Sequence, residues 1–207
     1  MLKKNMRIRL PLARQKGRFN CGPASLKMVL SYFGNKISLK DLEKEIDYKE
    51  GKGTSPIKLA LAAKKLGYEV LILTKNIIPQ KEILEMDYFK RYMDEDIEKI
   101  KLLAEEAKKL KIKMFEKSIG LNELLSFINK NSIPIVLLDW NVVRNREKGG
   151  FMGHYVPLVG FDNNSVFVNN SAGRKGMRLQ RIDKGIFDKA RKARGTDEDI
   201  LIVYGKK

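Results

Sequence analysis

The 207-residue chain contains one cysteine and one histidine. Cys21 lies in "RQKGRFNCGPASLKMVLSYFG" (14–34), and His154 heads the apolar run "HYVPLVGFD". A thiol attacks a carbonyl as the thiolate, so a catalytic cysteine needs help in losing a proton whose ordinary pKa is about 8.5; a helix N-terminus and a nearby imidazole both give it. Leu26, Val29, Leu30 and Phe33 share one helical face, Pro23 suits a first turn and Gly34 a stop, which predicts Cys21 at a helix N-terminus. His154 follows the glycine-rich loop "EKGGFMG", whose "GGFMG" suits a mobile approach or a plain turn. An imidazole base must be held in one tautomer by an acceptor. Asn170, sixteen residues on, ends the next predicted strand, where a hairpin through "DNNS" brings it alongside His154; Asn169 is the rival. Gln15, six residues before Cys21, could join the Cys21 amide in stabilising an oxyanion, where losing one donor costs on the order of 3 kcal/mol.

Each of these residues also has a plainer role. Free cysteines mostly pack in cores, asparagines form turns, and a single histidine is commonly a satisfied polar group. Their joint order and spacing favour thiol chemistry. With Cys and His occurring once each, no Cys/His-rich zinc site can form, and the expected chemistry needs no metal or organic cofactor.

Short helices are predicted from Ser38 and from Ser55, the latter with Pro56 in its first turn and Gly67 past its end, followed by the strand "YEVLILT". Residues 79–111 read as one or two amphipathic helices with a restart at "DED", then a strand "IKMFEK" and a helix "LNELLSFINK". The second half is mainly strands: "IPIVLLDW" ending at Trp140, "HYVPLVGFD", "SVFVNN", "MRLQRI" and "DILIVYG", with a helix at "KGIFDKARKA". Helices followed by a mostly antiparallel sheet is an α+β order, and the length fits one domain, 1–207.

Composition narrows the classes. At 43% hydrophobic and 32% charged residues the chain is globular, and its most apolar run is far short of the ~20 residues of a membrane span. No apolar block follows the basic start, so no export signal is expected, and with a single cysteine a cytoplasmic home is. The net charge of +17 is mostly lysine interspersed with acids, so nucleic acid is a partner of second choice, through one basic face at 174–195.

The string Q-x5-C-G-P-A-S-L-x-M-V-L-x-Y-F-G resembles the opening of the bacteriocin-processing peptidases, the double-glycine leader peptidases of papain-like fold. "GTSPIKLALAAKKLGYEV", "SIPIVLLDW" and "GHYVPLVGFDNNSVFVNNSAG" extend the likeness over roughly 12–75 and 119–205, leaving 76–118 as a helical insertion that caps the cleft, docks a partner or fills out the helical side. The resemblance implies a papain-like α+β fold and a cysteine peptidase or related amide hydrolase acting on a peptide or protein. It makes Cys21 the nucleophile, His154 the base and acid, Asn170 the residue orienting His154, and Gln15 the oxyanion donor. The family usually has aspartate then proline where Asn170–Ser171 stands, so the resemblance implies an imidazole oriented here without a charge. Two other classes stand beside the enzyme: a binding module holding an extended peptide uncut, and a nucleic-acid-associated protein. Fast alkylation of Cys21 near neutral pH is expected of the enzyme alone.

Overall fold

Helix α1 (Cys21–Tyr32) begins at the cysteine itself. Asn20 occupies the cap position without capping: its Nδ2 donates to Glu43 Oε1 (2.7 Å) and its Oδ1 accepts from the Gly17 amide (3.1 Å). Leu26, Val29 and Leu30 are fully buried, and full burial of such a side chain stabilises by about 1.5–3 kcal/mol. Gly34, at φ +85°, turns the chain out of the helix.

The computed structural model describes residues 5–93 and 96–206; Asp94 and Glu95 of the expected restart, residues 1–4 of the basic start and residue 207 lie outside the described residues. Ser38 caps α2 (Leu39–Glu45), its Oγ accepting from the Asp41 amide at 3.1 Å. Helix α3 (Pro56–Lys65) departs from expectation at its cap: the Ser55 hydroxyl makes no capping bond and is buried without a partner among the described residues, as is that of Thr54. The helical stretch over 79–111 divides into α4 (Lys81–Leu84), α5 (Asp87–Tyr92) and α6 (Ile97–Lys109), the last capped by Asp96, whose Oδ1 accepts from the Lys99 amide at 2.8 Å.

The strands are β1 (Met6–Arg7), β2 (Glu69–Thr74), β3 (Lys113–Glu116), β4 (Ser132–Asp139), β5 (Gly153–Phe161), β6 (Ser165–Asn170), β7 (Met177–Asp183) and β8 (Ile200–Tyr204). Short helices α7 (Leu121–Ser126), α8 (Trp140–Val143) and α9 (Lys184–Arg191) connect them. One sheet runs β3-β2-β8-β4-β5-β6-β7 with β1 alongside β5; its pairings are antiparallel except β2 with β3. The expected α+β architecture is thus the observed one. Helix α1 lies against β5, where Ser25 Oγ donates to the Tyr155 carbonyl at 2.9 Å. Trp140 opens α8 instead of ending its strand, because Asp139 Oδ1 accepts from the Asn141 and Met152 amides (3.0 and 3.2 Å) and stops β4 there.

Within the 174–195 cluster, Arg191 is no part of a basic face. Arg191 is wholly buried, bonded through Nε to Asp188 (2.8 Å) and through a terminal nitrogen to the Ile119 carbonyl (2.9 Å). No helix among the described residues is long and apolar enough to cross a membrane.

Strand β1 lies on β5 because residue 160 has no side chain. Arg7 pairs with Gly160, Ile8 donates to the Val159 carbonyl at 2.7 Å, and a Cβ at 160 would collide with the Met6 carbonyl, a backbone atom that cannot swing away. Gly160→Ala is therefore expected to lower unfolding free energy by about 1–3 kcal/mol, read as a shift in a urea midpoint. The same β1 pairing leads the chain toward Gln15 and Cys21, so the variant should lose thiol protection along with stability.

Candidate active site

Antiparallel pairing of β5 with β6 joins His154 to Asn170 at 2.9 Å, Nε2 to Oδ1, with both residues buried. The Asn170 oxygen also accepts from the Ala172 amide (2.9 Å), and Nδ2 donates to Gln180 Oε1 (2.9 Å), so the network fixes which end of the amide faces the ring. Nε2 therefore carries the proton, and Nδ1 keeps a lone pair with which to accept one. Asn169 faces elsewhere, its Oδ1 accepting from the Leu179 amide (3.1 Å) and its Nδ2 directed at the Met28 sulfur (3.9 Å). Trp140 packs its ring 4.7 Å from the imidazole, and its buried indole N–H has no partner among the described residues. Burial pushes the His154 pKa down to about 4; the Asn170 bond works against this and the Arg144 charge adds to it. The imidazole is neutral at ordinary pH.

Cys21 departs from the expectation of an acidified thiol. Backbone amides of Tyr155, Gly22 and Cys21 itself all favour the thiolate, yet burial outweighs them and raises the thiol pKa. The residue lines an apolar cavity of about 80 Å³ together with Thr54, Ser55, Tyr155 and Asp199. His154 lines the adjoining open cleft, about 670 Å³, with Gln15 and Trp140. Phe19, Tyr88, Phe151 and Gly153 border both spaces. Thiol and imidazole thus face neighbouring spaces at the start of β5.

Gln15 is tied to the end of β6: its backbone N–H donates to the Ser171 carbonyl (3.1 Å) and its Oε1 accepts from Ser171 Oγ (2.9 Å). Its Nε2 donates to the carbonyls of Gly17 (2.8 Å) and Arg18 (3.2 Å), so the structure spends both amide hydrogens inside the loop.

Two features of the site lie outside the sequence reading. Helix α5 roofs it: Tyr88 and Phe89 pack on Phe151 (4.9 and 5.9 Å) and Tyr92 stacks on Phe19 (4.6 Å). The signal was the aromatic triplet of "DYFKRY", legible only once its partners are known. Helix α6 instead fills out the helical side, with Ile100, Ala104 and Ala107 buried and Glu106 paired to Lys65 at 2.9 Å. The second feature is Asp199, whose carboxyl lines the Cys21 cavity near Thr74 and Tyr155; burial lifts its pKa to about 8. Nothing in "TDEDILIVYG" distinguishes it from a solvated acid.

A family model described as guanylylate cyclase matches residues 10–203. Guanylyl cyclase 1 of Arabidopsis thaliana is 25% identical over 210 residues, spanning 94% of this chain and 75% of that protein. Among solved structures, a double glycine motif protease from an AMS/PCAT transporter in complex with its leader peptide superposes with a TM-score of 0.55 at 17% identity, covering 97% of this chain and 95% of that one. A C39-like peptidase from Bacillus anthracis gives 0.56 at 16% (99% of each chain), and the peptidase domain of Streptococcus ComA 0.51 at 16% (94% and 98%). At these identities the structural likeness is one of fold, and that fold is the papain-like one of the double-glycine peptidases.

Proposed function

The chain belongs to the guanylylate cyclase family, and from its papain-like fold and the arrangement of His154 and Asn170 we propose that it is a cysteine-type amide hydrolase acting on a peptide. The observation that carries this reading is the buried Nε2–H bond from His154 to Asn170 at 2.9 Å, which leaves Nδ1 unprotonated beside the cleft. The bond satisfies a buried ring nitrogen, as any buried histidine requires, and it also fixes the tautomer that leaves the other nitrogen free to accept a proton. It supports a base that is neutral, oriented and ready.

In this reading Cys21 turns from the Tyr155 amide toward the cleft by one side-chain rotamer step. His154 Nδ1 takes the thiol proton as sulfur bonds to the substrate carbonyl carbon, and the oxyanion is held by the Cys21 amide and by Gln15, which releases one of its loop bonds. The imidazolium then protonates the departing amine as the C–N bond breaks. Water, deprotonated by Nδ1, attacks the thioester and frees the thiol. Because the resting pair is neutral, proton transfer accompanies attack instead of preceding it.

The name carried by the family and by the Arabidopsis relative supports a second reading, conversion of GTP to cyclic GMP and pyrophosphate. One preparation tests both. Labelling with an electrophilic peptide-like probe, mapped by mass spectrometry, should fall on Cys21 and drop at least about 100-fold in His154→Ala. Incubation with GTP and Mg²⁺ or Mn²⁺ should give no cyclic GMP. Nucleotide turnover that persists in Cys21→Ala, with no labelling of the wild type, would favour the second reading.

A further inference from the structure

Lysine outnumbers arginine 30 to 12 in this chain, yet the three basic side chains lining the cleft beside His154, Arg18, Arg91 and Arg144, are all arginines. They come from separate segments: the loop before α1, helix α5 and the end of α8. Two are held over aromatic faces, Arg18 over Phe19 and Tyr92 (5.4 and 5.7 Å) and Arg144 over Trp140 (5.9 Å). Stacking restricts a guanidinium while leaving its in-plane N–H fork open to a carboxylate.

Lysines on the outer helices behave differently: Lys64, Lys65, Lys101 and Lys108 each pair with a glutamate. Among the described residues none of the three cleft arginines pairs with a carboxylate. Asp87 is the one acid lining this cleft among them, and the indole N–H of Trp140 adds a buried donor without a partner. A space walled by unspent donors is complementary to a ligand rich in anionic acceptors.

We infer that the side of the cleft carrying His154 selects an acidic peptide segment, gripped by Arg18, Arg91 and Arg144. The inference rests on the hydrolase reading for one point: the group that protonates the departing amine stands beside it, so the acidic residues follow the scissile bond. Arginine forks set the register of that segment, and their charge draws it in.

The test measures binding apart from catalysis. Two peptide pools, each randomised over four positions and continued by three glutamates or by three glutamines, are titrated against Cys21→Ala by fluorescence anisotropy. The glutamate pool should bind about tenfold tighter at low salt, and the difference should collapse near 0.5 M salt, where the screening length falls to about 4 Å. Arg18→Gln with Arg91→Gln should remove most of the preference, whereas the charge-matched Lys101→Gln with Lys108→Gln should retain it; circular dichroism checks folding, and Arg91→Gln alone replaces a double variant that does not fold. Equal affinity for the two pools, no binding of either, a preference that survives loss of the arginines, or a cleft that takes GTP and neither pool overturns the inference. Probe labelling of wild-type Cys21 is read separately, so failure of the hydrolase reading shows there and failure of the acidic preference shows here.

Discussion

Replacing His154 with alanine is expected to lower kcat/KM on a cleaved peptide by about 10³ to 10⁴, and Cys21→Ala to leave only background turnover. Asn170→Ala should cost less, about 10- to 100-fold, because it frees the imidazole to rotate and exchange tautomers without removing the base. The sharper variant is Asn170→Asp. Asn170 Oδ1 sits 2.9 Å from Nε2, so a carboxylate there would favour the imidazolium, and Gln180 could turn its amide to donate to the new oxygen. In the wild type His154 is neutral above about pH 4, so the acid limb of kcat/KM should fall near that value and activity should persist through pH 5. Asn170→Asp should move the limb up by about 1–3 units. A wild-type limb near 6.5 that ignores the substitution would mean an imidazole open to water, and the assigned role of Asn170 would fall.

Much of this arrangement was legible in the residues. The spacing of Leu26, Val29, Leu30 and Phe33 located α1 and put Cys21 at its first residue, and the two apolar runs around "DNNS" gave the hairpin that joins His154 to Asn170. What stayed hidden depends on distant chain. Strand β1 is two residues long and exists only because Gly160 lets it approach. The end of β4 is set by Asp139 accepting from Met152, thirteen residues on, so the apolar pattern ran one residue too far into Trp140. Local sequence correctly gave Cys21 a helix N-terminus, but the sign of its pKa shift is decided by burial in the cavity it shares with Tyr155 and the α5 aromatics, which outweighs the backbone amides. Fast alkylation at neutral pH, expected of an acidified thiol, is accordingly replaced by a rate that rises toward alkaline pH.

Asp199→Asn should make stability respond to pH in a way the wild type does not. Burial lifts the carboxyl's folded pKa to about 8 from an ordinary 3.8, so between those values the folded state holds a proton that the unfolded chain has lost. Stability from this group is therefore present at low pH and lost as pH rises through about 8, at about 1.4 kcal/mol per unit. His154 has the opposite sign. Its folded pKa of about 4 lies below 6.5, so its contribution is present above 6.5 and lost as pH falls through about 4. From about pH 4 to 6.5 the two slopes cancel, and from 6.5 to about 8 Asp199 acts alone, a fall of about 2 kcal/mol. Asparagine is always neutral, and its Oδ1 can keep accepting from Tyr155. Relative to wild type, Asp199→Asn should gain stability progressively from pH 4 to 8, and His154→Gln should lose it across 4 to 6.5 in the same urea titrations. Parallel curves for Asp199→Asn and wild type would mean that the cavity hydrates the carboxylate. The polar lining beside the thiol would then be ordinary wet surface, and the burial invoked for the raised Cys21 pKa would lose its support.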